Sequence, residues 1–291
     1  MKLTNKHNLP QMLVRAIEGN KYEKVGDVSV TELLQPRQLR HLVKKHSEEG
    51  GPELEVDAID QIWSVLGSSV HAMLERANLD NEAVILERLL TADVNRWKLS
   101  GHTDVYDEDT ASIYDYKVTS AWSVKDGPKP EWEEQLNCYA YLWEYDGFTV
   151  DHLQIVAILR DWSKLEAIRN RDYPKAQVKV IPIRPWTPIE RETFVLNRVA
   201  ALQEDDAGGK VPECTPEEKW QKQDSWAVMK PGAKRATKVT YDEVSATMYA
   251  AKIPGARVEY RPGKAVRCES YCQASQICPQ FAKESKQRLT R

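Results

Sequence analysis

The sequence predicts an α/β fold in which a mixed central sheet is flanked by helices. Apolar residues recur at helical spacing over residues 57–79, 131–145 and 190–203, while 83–90, 152–159 and 178–183 are short apolar runs of strand length. Between the first helix and the second lies GHTDVYDEDTASIYDYK, Gly101 to Lys117, two alternating strands joined by the acidic turn Asp107-Glu108-Asp109-Thr110. Helix, strand, hairpin, helix, strand is the order of a sheet that carries helices on its faces.

The totals set outer bounds. A chain of 291 residues holds one large domain or two modest ones. With 41% hydrophobic and 29% charged residues it has the composition of a soluble globular protein. No apolar run reaches the length of a membrane span, and Met1-Lys2-Leu3-Thr4-Asn5 does not open a signal peptide, so no membrane role and a cytoplasmic location are expected. A net charge of −3 decides nothing about nucleic acid, because a DNA-binding groove needs only local basicity. Five cysteines in such a chain suggest packing, a metal or a cluster before disulfides.

In chain order, residues 1–20 read as a short helix with Leu9, Met12, Leu13 and Ile17 on one side. A second helix is expected from Asp27–Thr31 through His46, with Leu33, Leu34, Leu39, Leu42 and Val43 inward and Pro36 tolerated in its early part. The helix over 57–79 carries Ile59, Ile62, Trp63, Leu66, Val70, Met73 and Leu74 as an inward stripe. Gly67, His71 and Glu75, four apart, form a line beside it. In the strand AVILERLL, Glu87 sits in apolar company, where assistance to a site and a buried salt bridge explain it equally well. The helix after the hairpin turns Trp132, Leu136, Ala140 and Trp143 inward, with Gln135 and Tyr139 projecting together next to that face. Residues 178–183 belong at a sheet edge, because Pro182 lacks the N–H of a central strand.

The hairpin carries the chemistry. Alternation puts Ile113, Asp115 and Lys117 on one face, and a turn near Glu108 brings Asp104 to that face, diagonally across from Asp115. Two carboxylates and an ammonium beside apolar strands cost several kcal/mol to bury unless compensated. A divalent cation compensates the carboxylates, and an imidazole from His71 at the margin of the preceding helix completes an N/O donor set.

From residue 210 onward the chain is rich in Lys, Arg, Pro and Gly, with short strand-like pieces at 226–229 and 257–261 and a helix over 241–251. Lys219, Lys222, Lys230, Lys234, Arg235 and Lys238 make its first half basic, a solvated surface or a DNA-backbone contact. Cys268, Cys272 and Cys278 form a C-x3-C-x5-C run, and Cys214 is the best fourth thiolate, while Cys138 sits in a helix as a core residue. Four thiolates fit a [4Fe–4S] cluster or a tetrahedral zinc. One distant cysteine plus three clustered ones is more like the cluster.

Taken together, GSSVHAMLE (Gly67–Glu75), GHTD (Gly101–Asp104), DYK (Asp115–Lys117) and QLNCY (Gln135–Tyr139) resemble, in order and spacing, the four motifs of the PD-(D/E)xK nuclease superfamily in its RecB-like branch, specifically its phage-type exonucleases. The resemblance covers about Asp57 to Leu159 and extends with the cysteines to about Phe281. It implies a restriction-endonuclease-like core over 57–206, a helical N-terminal segment over 1–56, and a cysteine-bearing C-terminal appendage over 207–291 packed on the core. It implies a Mg²⁺- or Mn²⁺-dependent deoxyribonuclease, exonuclease before endonuclease, with DNA as partner and a role in phage-type DNA processing or recombination. A recombination or single-strand-binding protein partner is compatible with it. Catalytic residues carried over are His71, Asp104, Asp115, Lys117, Gln135 and Tyr139. The metal ligands are His71, Asp104, Asp115 and the Tyr116 carbonyl, and the cluster ligands are Cys214, Cys268, Cys272 and Cys278. An imidazole ligand favours Mn²⁺ over Mg²⁺. The chain departs from cluster-bearing relatives in one place: where they take a first cysteine from the N-terminal helix region, it reads LLQPRQLRHL. A non-cutting DNA-binding protein or a zinc-stabilised interaction protein are the rival readings.

Overall fold

A computed structural model describes residues 2–19 and 25–289. The chain divides into two compact units, Met1–Gln35 with Glu55–Gly209 and Pro36–Leu54 with Lys210–Arg291.

In the first unit, β1 (Lys2–Thr4), α1 (Gln11–Gly19), β2 (Val28–Ser29) and α2 (Val30–Leu33) come before the break at Gln35. The N-terminus therefore begins as a strand, paired with β3 (Glu55–Asp57), and not as helix throughout: Pro10 starts α1 at Gln11 and leaves Leu9 outside it. Met12, expected inward, is 82% exposed. The second expected helix is two. α2 is opened by a capping box in which Ser29 and Glu32 satisfy each other's backbone N–H. Pro36, the residue after Gln35, caps the separate α3 (Arg37–Glu48), which belongs to the second unit.

The main sheet has six strands. Its path runs β2, β5 (Trp97–Asp107), β6 (Ser112–Thr119), β7 (His152–Leu159), β8 (Val178–Ile183), and β4 (Val84–Val94) pairs with β5 on the other side. Pairing is antiparallel for β4–β5, β5–β6 and β7–β8 and parallel for β2–β5 and β6–β7. The sheet is thus mixed, as expected, and β8 with Pro182 lies at its edge. A parallel pair needs a crossover, and α5 (Pro130–Tyr145) supplies it between β6 and β7. α5 buries Trp132, Leu136, Cys138, Ala140 and Trp143, and with α7 (Pro188–Asp206) and the alternate residues Leu153, Ile155, Ala157 and Leu159 of β7 it builds the core. Inside it, buried Asn137 donates to the Arg184 carbonyl and accepts from the Trp186 N–H and Arg191.

The helix expected over 57–79 is a short 3₁₀ turn, Ala58–Gln61, followed by α4 (Ile62–Ala77). Its apolar stripe is not buried: no residue of α4 is, and Trp63 and Met73 are 54% and 56% exposed. The cause is rotational. At ~100° per residue, the stripe lies about a quarter-turn or more away from the line of His71, and His71 faces β6.

In the second unit, β9 (Ser225–Met229) is the centre of a three-stranded antiparallel sheet between β10 (Lys238–Thr240) and β11 (Arg257–Arg261). α8 (Glu243–Ala250), the short α9 (Val266–Ser270) and α10 (Pro279–Leu289) complete it. α6 (Lys164–Arg169) of the first unit and β10 are elements the sequence reading lacks. Among the described residues no helix is long and apolar enough to cross a membrane.

Candidate active site

β2 and β6 both pair along the edge of β5 that β4 does not occupy, β2 at Leu99–Ser100 and β6 at Val105–Asp107. Gly101–Asp104 has no ladder partner on that edge. Where β6 leaves β5 after the Val105–Tyr114 pair, the Asp104 carboxylate takes over, accepting the Tyr116 N–H at 2.7 Å. A cavity of about 540 Å³ opens here, within the size range of a ligand site. Its lining includes His71, Glu87, His102, Asp104, Asp115, Lys117, Gln135 and Tyr139. All six side chains expected to form the site are therefore brought together, along with two more.

A break in strand alternation positions the carboxylates. On β4, Ile85 pairs with Tyr106, which stacks on Trp143 of α5 at 4.3 Å, yet Arg88, three residues on, also lies over Trp143. In a regular strand residues three apart face opposite sides. β5 shows the same slip, since Tyr106 and Gly101, five apart, both meet α5: a Cβ on Gly101 would fall 2.6 Å from Leu142 and 3.0 Å from Tyr139. The slip falls at Glu87, whose φ is +44°, and the β4–β5 ladder skips the Glu87–Asp104 pair. Left-handed backbone at a non-glycine residue costs about 1–3 kcal/mol and marks sites where geometry is set for function.

His71 joins from α4. Its Nε2 lies 3.2 Å from the Tyr116 carbonyl, and its Nδ1 lies 3.3 Å from Asp104 Oδ1 and 3.7 Å from Glu87 Oε1. Hydrogen bonding to Asp104 first, then to Glu87, raises the pKa of the imidazole to about 10, so a cation that bound Nδ1 would displace a proton. Donor atoms of His71, Glu87 and Asp104 all lie within 4.8 Å of one another. Asp115 stands outside that triad. It is 2% exposed, and Lys117 Nζ approaches its Oδ2 to 2.6 Å. The ammonium is therefore the partner of this buried oxygen. Burial pushes the Asp115 carboxyl up to about 6 against the opposing pull of Lys117. Gln135 Nε2 donates to the Tyr139 hydroxyl at 3.0 Å, and burial drives that phenol's pKa upward.

A buried carboxylate beside an imidazole and two more carboxylates is a donor set that fits Mg²⁺ or Mn²⁺. Glu87 was ambiguous in the sequence and His102 carried no signal there, because period-2 reasoning cannot see a phase break. The turn at φ +44° has no glycine to announce it.

In the second unit, Cys214, Cys268, Cys272 and Cys278 line one small cavity with Leu39, Leu42, Ala274 and Phe281. All are free thiols, and burial pushes Cys214 up to about 12 and raises Cys268 and Cys272. Cys214 is held by its backbone: its N–H reaches Gln38 Oε1 at 3.1 Å and Gln280 Oε1 at 3.0 Å, and Gln280 Nε2 donates to its carbonyl at 3.0 Å. Gln38 comes from the cysteine-free LLQPRQLRHL stretch. Cys138 is fully buried in α5, as a core residue should be.

No family model and no curated protein matches the chain. Solved structures similar to it include SSO0001, at 18% identity and TM-score 0.49 over 92% of this chain and 95% of that one. A phage related exonuclease from Haemophilus somnus 129PT is 13% identical with TM-score 0.37, over 58% of this chain and 81% of the other. An alkaline exonuclease from Laribacter hongkongensis is 15% identical with TM-score 0.38, over 68% and 95%.

Proposed function

We propose that the chain is a Mg²⁺- or Mn²⁺-dependent DNA exonuclease of the PD-(D/E)xK type. The observation that carries the reading is the convergence of all four sequence motifs on one cavity around the buried, Lys117-paired carboxylate of Asp115. His71, Asp104 and Asp115 hold the cation. When bound, it supplies an acidified water and offsets charge building on the phosphate. Lys117, whose ammonium enters the cavity beside Asp115, meets the charge that develops on the phosphoryl oxygens. Gln135 fixes the Tyr139 hydroxyl, and the pair orients substrate and hairpin from α5. Phage-type DNA processing and an exonucleolytic mode rest on the motif resemblance.

Cys214, Cys268, Cys272 and Cys278 ligate a structural [4Fe–4S] cluster. The layout of one distant cysteine, Cys214, and three clustered ones lining a single small cavity supports this reading over tetrahedral zinc.

The test is anaerobic purification followed by incubation with end-labelled linear and closed-circular DNA, with Asp115→Ala in parallel. Linear DNA should be consumed from its ends, with at least a hundredfold loss, roughly, in the variant. Full activity in Asp115→Ala overturns the mechanism, and nicking of closed circles makes the enzyme an endonuclease. A broad visible absorbance lost in both Cys272→Ala and Cys214→Ala establishes the cluster and its fourth ligand. One zinc per chain without iron replaces it.

A further inference from the structure

The motif resemblance implies the Tyr116 carbonyl as a metal ligand, but in the structure that carbonyl is engaged by His71 Nε2 at 3.2 Å. A ring nitrogen that donates there carries a proton, which leaves Nδ1 as the nitrogen with a lone pair to offer. Nδ1 does not look toward Tyr116. It looks toward Asp104 Oδ1 and Glu87 Oε1. Adjacent ligands on an octahedral cation with bonds of 2.0–2.1 Å sit about 3 Å apart, close to those separations. Asp104 commits its other oxygen to the Tyr116 N–H, so only Oδ1 is available, and it is the oxygen turned to His71. Glu87 is held from behind: His102 Nδ1 lies 3.2 Å from Oε2, which leaves Oε1 turned to the triad.

The geometry points to Glu87 as an inner ligand of the cation together with His71 Nδ1 and Asp104 Oδ1. The carbonyl orients the imidazole, and His102 orients Glu87. Each inner donor then has its own outer support, the pattern that fixes ligand direction in metal sites. The left-handed turn at Glu87 has the same explanation. The phase break brings a strand carboxylate into reach of a helix imidazole.

The inference rests on the metal-dependent reading, and its test separates the two. Mn²⁺ alone is titrated into wild type, Glu87→Gln, Glu87→Asp and Asp104→Ala, with free Mn²⁺ read by its paramagnetic resonance signal and no DNA present. Thermal melting in chelator monitors folding. The expected result is a loss of Mn²⁺ affinity of at least about tenfold in Glu87→Gln, comparable to Asp104→Ala, with partial recovery in Glu87→Asp. Wild-type affinity in Glu87→Gln with loss in Asp104→Ala overturns the Glu87 assignment and leaves the nuclease reading standing. Absence of Mn²⁺ binding by the folded wild type, or equal binding by Asp104→Ala, removes both. Should Glu87→Gln melt early, Glu87→Asp alone decides: affinity below wild type, together with loss in Asp104→Ala, supports the assignment, because the shortened carboxylate is drawn off the cation, and wild-type affinity overturns it.

Discussion

Gly101 opens the GHTD stretch, and its role is steric. The Cβ of any other residue would lie 2.6 Å from Leu142 Cδ1 and 3.0 Å from the Tyr139 ring. Both neighbours are buried on α5. Gly101→Ala therefore displaces the Leu142 side chain and the Tyr139 ring, and with the ring its partner Gln135. Overpacking of this kind costs about 1–3 kcal/mol. The urea midpoint of the variant should fall accordingly, and turnover should fall with it, because Tyr139 leaves the cavity wall. A variant as stable as wild type would mean that α5 does not rest on Gly101. Asp115 shows the opposite logic at the same scale. Its buried carboxylate is met by the Lys117 ammonium at 2.6 Å, yet burial still pushes its carboxyl up, a local cost that a bound cation would offset.

Among the elements, α4 differs most from its reading. Helical spacing located it, and His71 falls where the G-x-x-x-H pattern puts it. The burial of its stripe was not legible, because periodicity gives an apolar face but not which face the sheet takes. β7 was legible to its end residues, since a short apolar run of strand length marks it, while burial alternates along it. β4 was legible as a strand and illegible as a site, because the left-handed turn at Glu87 breaks the alternation that a sequence reader relies on. Within α4, Gly67 lies one turn before His71, and a Cβ there would meet nothing within 4 Å. No packing among the described residues explains a glycine in mid-helix, where it costs roughly 0.5–1 kcal/mol relative to alanine. Gly67→Ala should therefore raise the stability of the protein by about that amount. If the open space admits the DNA backbone on its way to His71, the same variant should show a higher KM for DNA. Stability up with KM unchanged would leave Gly67 without a part in substrate binding.

At the scale of the whole molecule, the two compact units are stabilised by different means. The first buries Trp143, Leu99, Ile113, Leu136, Leu142, Leu153, Ile155 and Leu202 almost completely. In the second, the buried hydrophobic residues are Leu39, Leu54, Ala227, Val228, Met229, Ala246, Ala265 and Ala274, half of them alanine. Burying an alanine contributes little, at ~25 cal/mol per Å² of a very small side chain. A unit with so thin a core needs a staple, and the cluster proposed on the four thiols around one cavity would supply it. Those thiols come from two separate places, Cys214 and the 268–278 run, and Gln38 of α3 and Gln280 of α10 both grip the Cys214 backbone. Loss of the cluster should release all of these together. In Cys272→Ala, hydrogen exchange should rise by at least about tenfold in α3, β9 and α10, which is a loss of ~1.4 kcal/mol of local protection. Exchange in β4, β5, β6 and β7, whose core lies wholly in the first unit, should stay at the wild-type rate. Mn²⁺ affinity should be unchanged too, because every residue of the proposed cation site belongs to that unit. Unaltered exchange in α3 and α10 would show that the second unit stands without a metal, and a uniform rise across both units would show that they unfold as one.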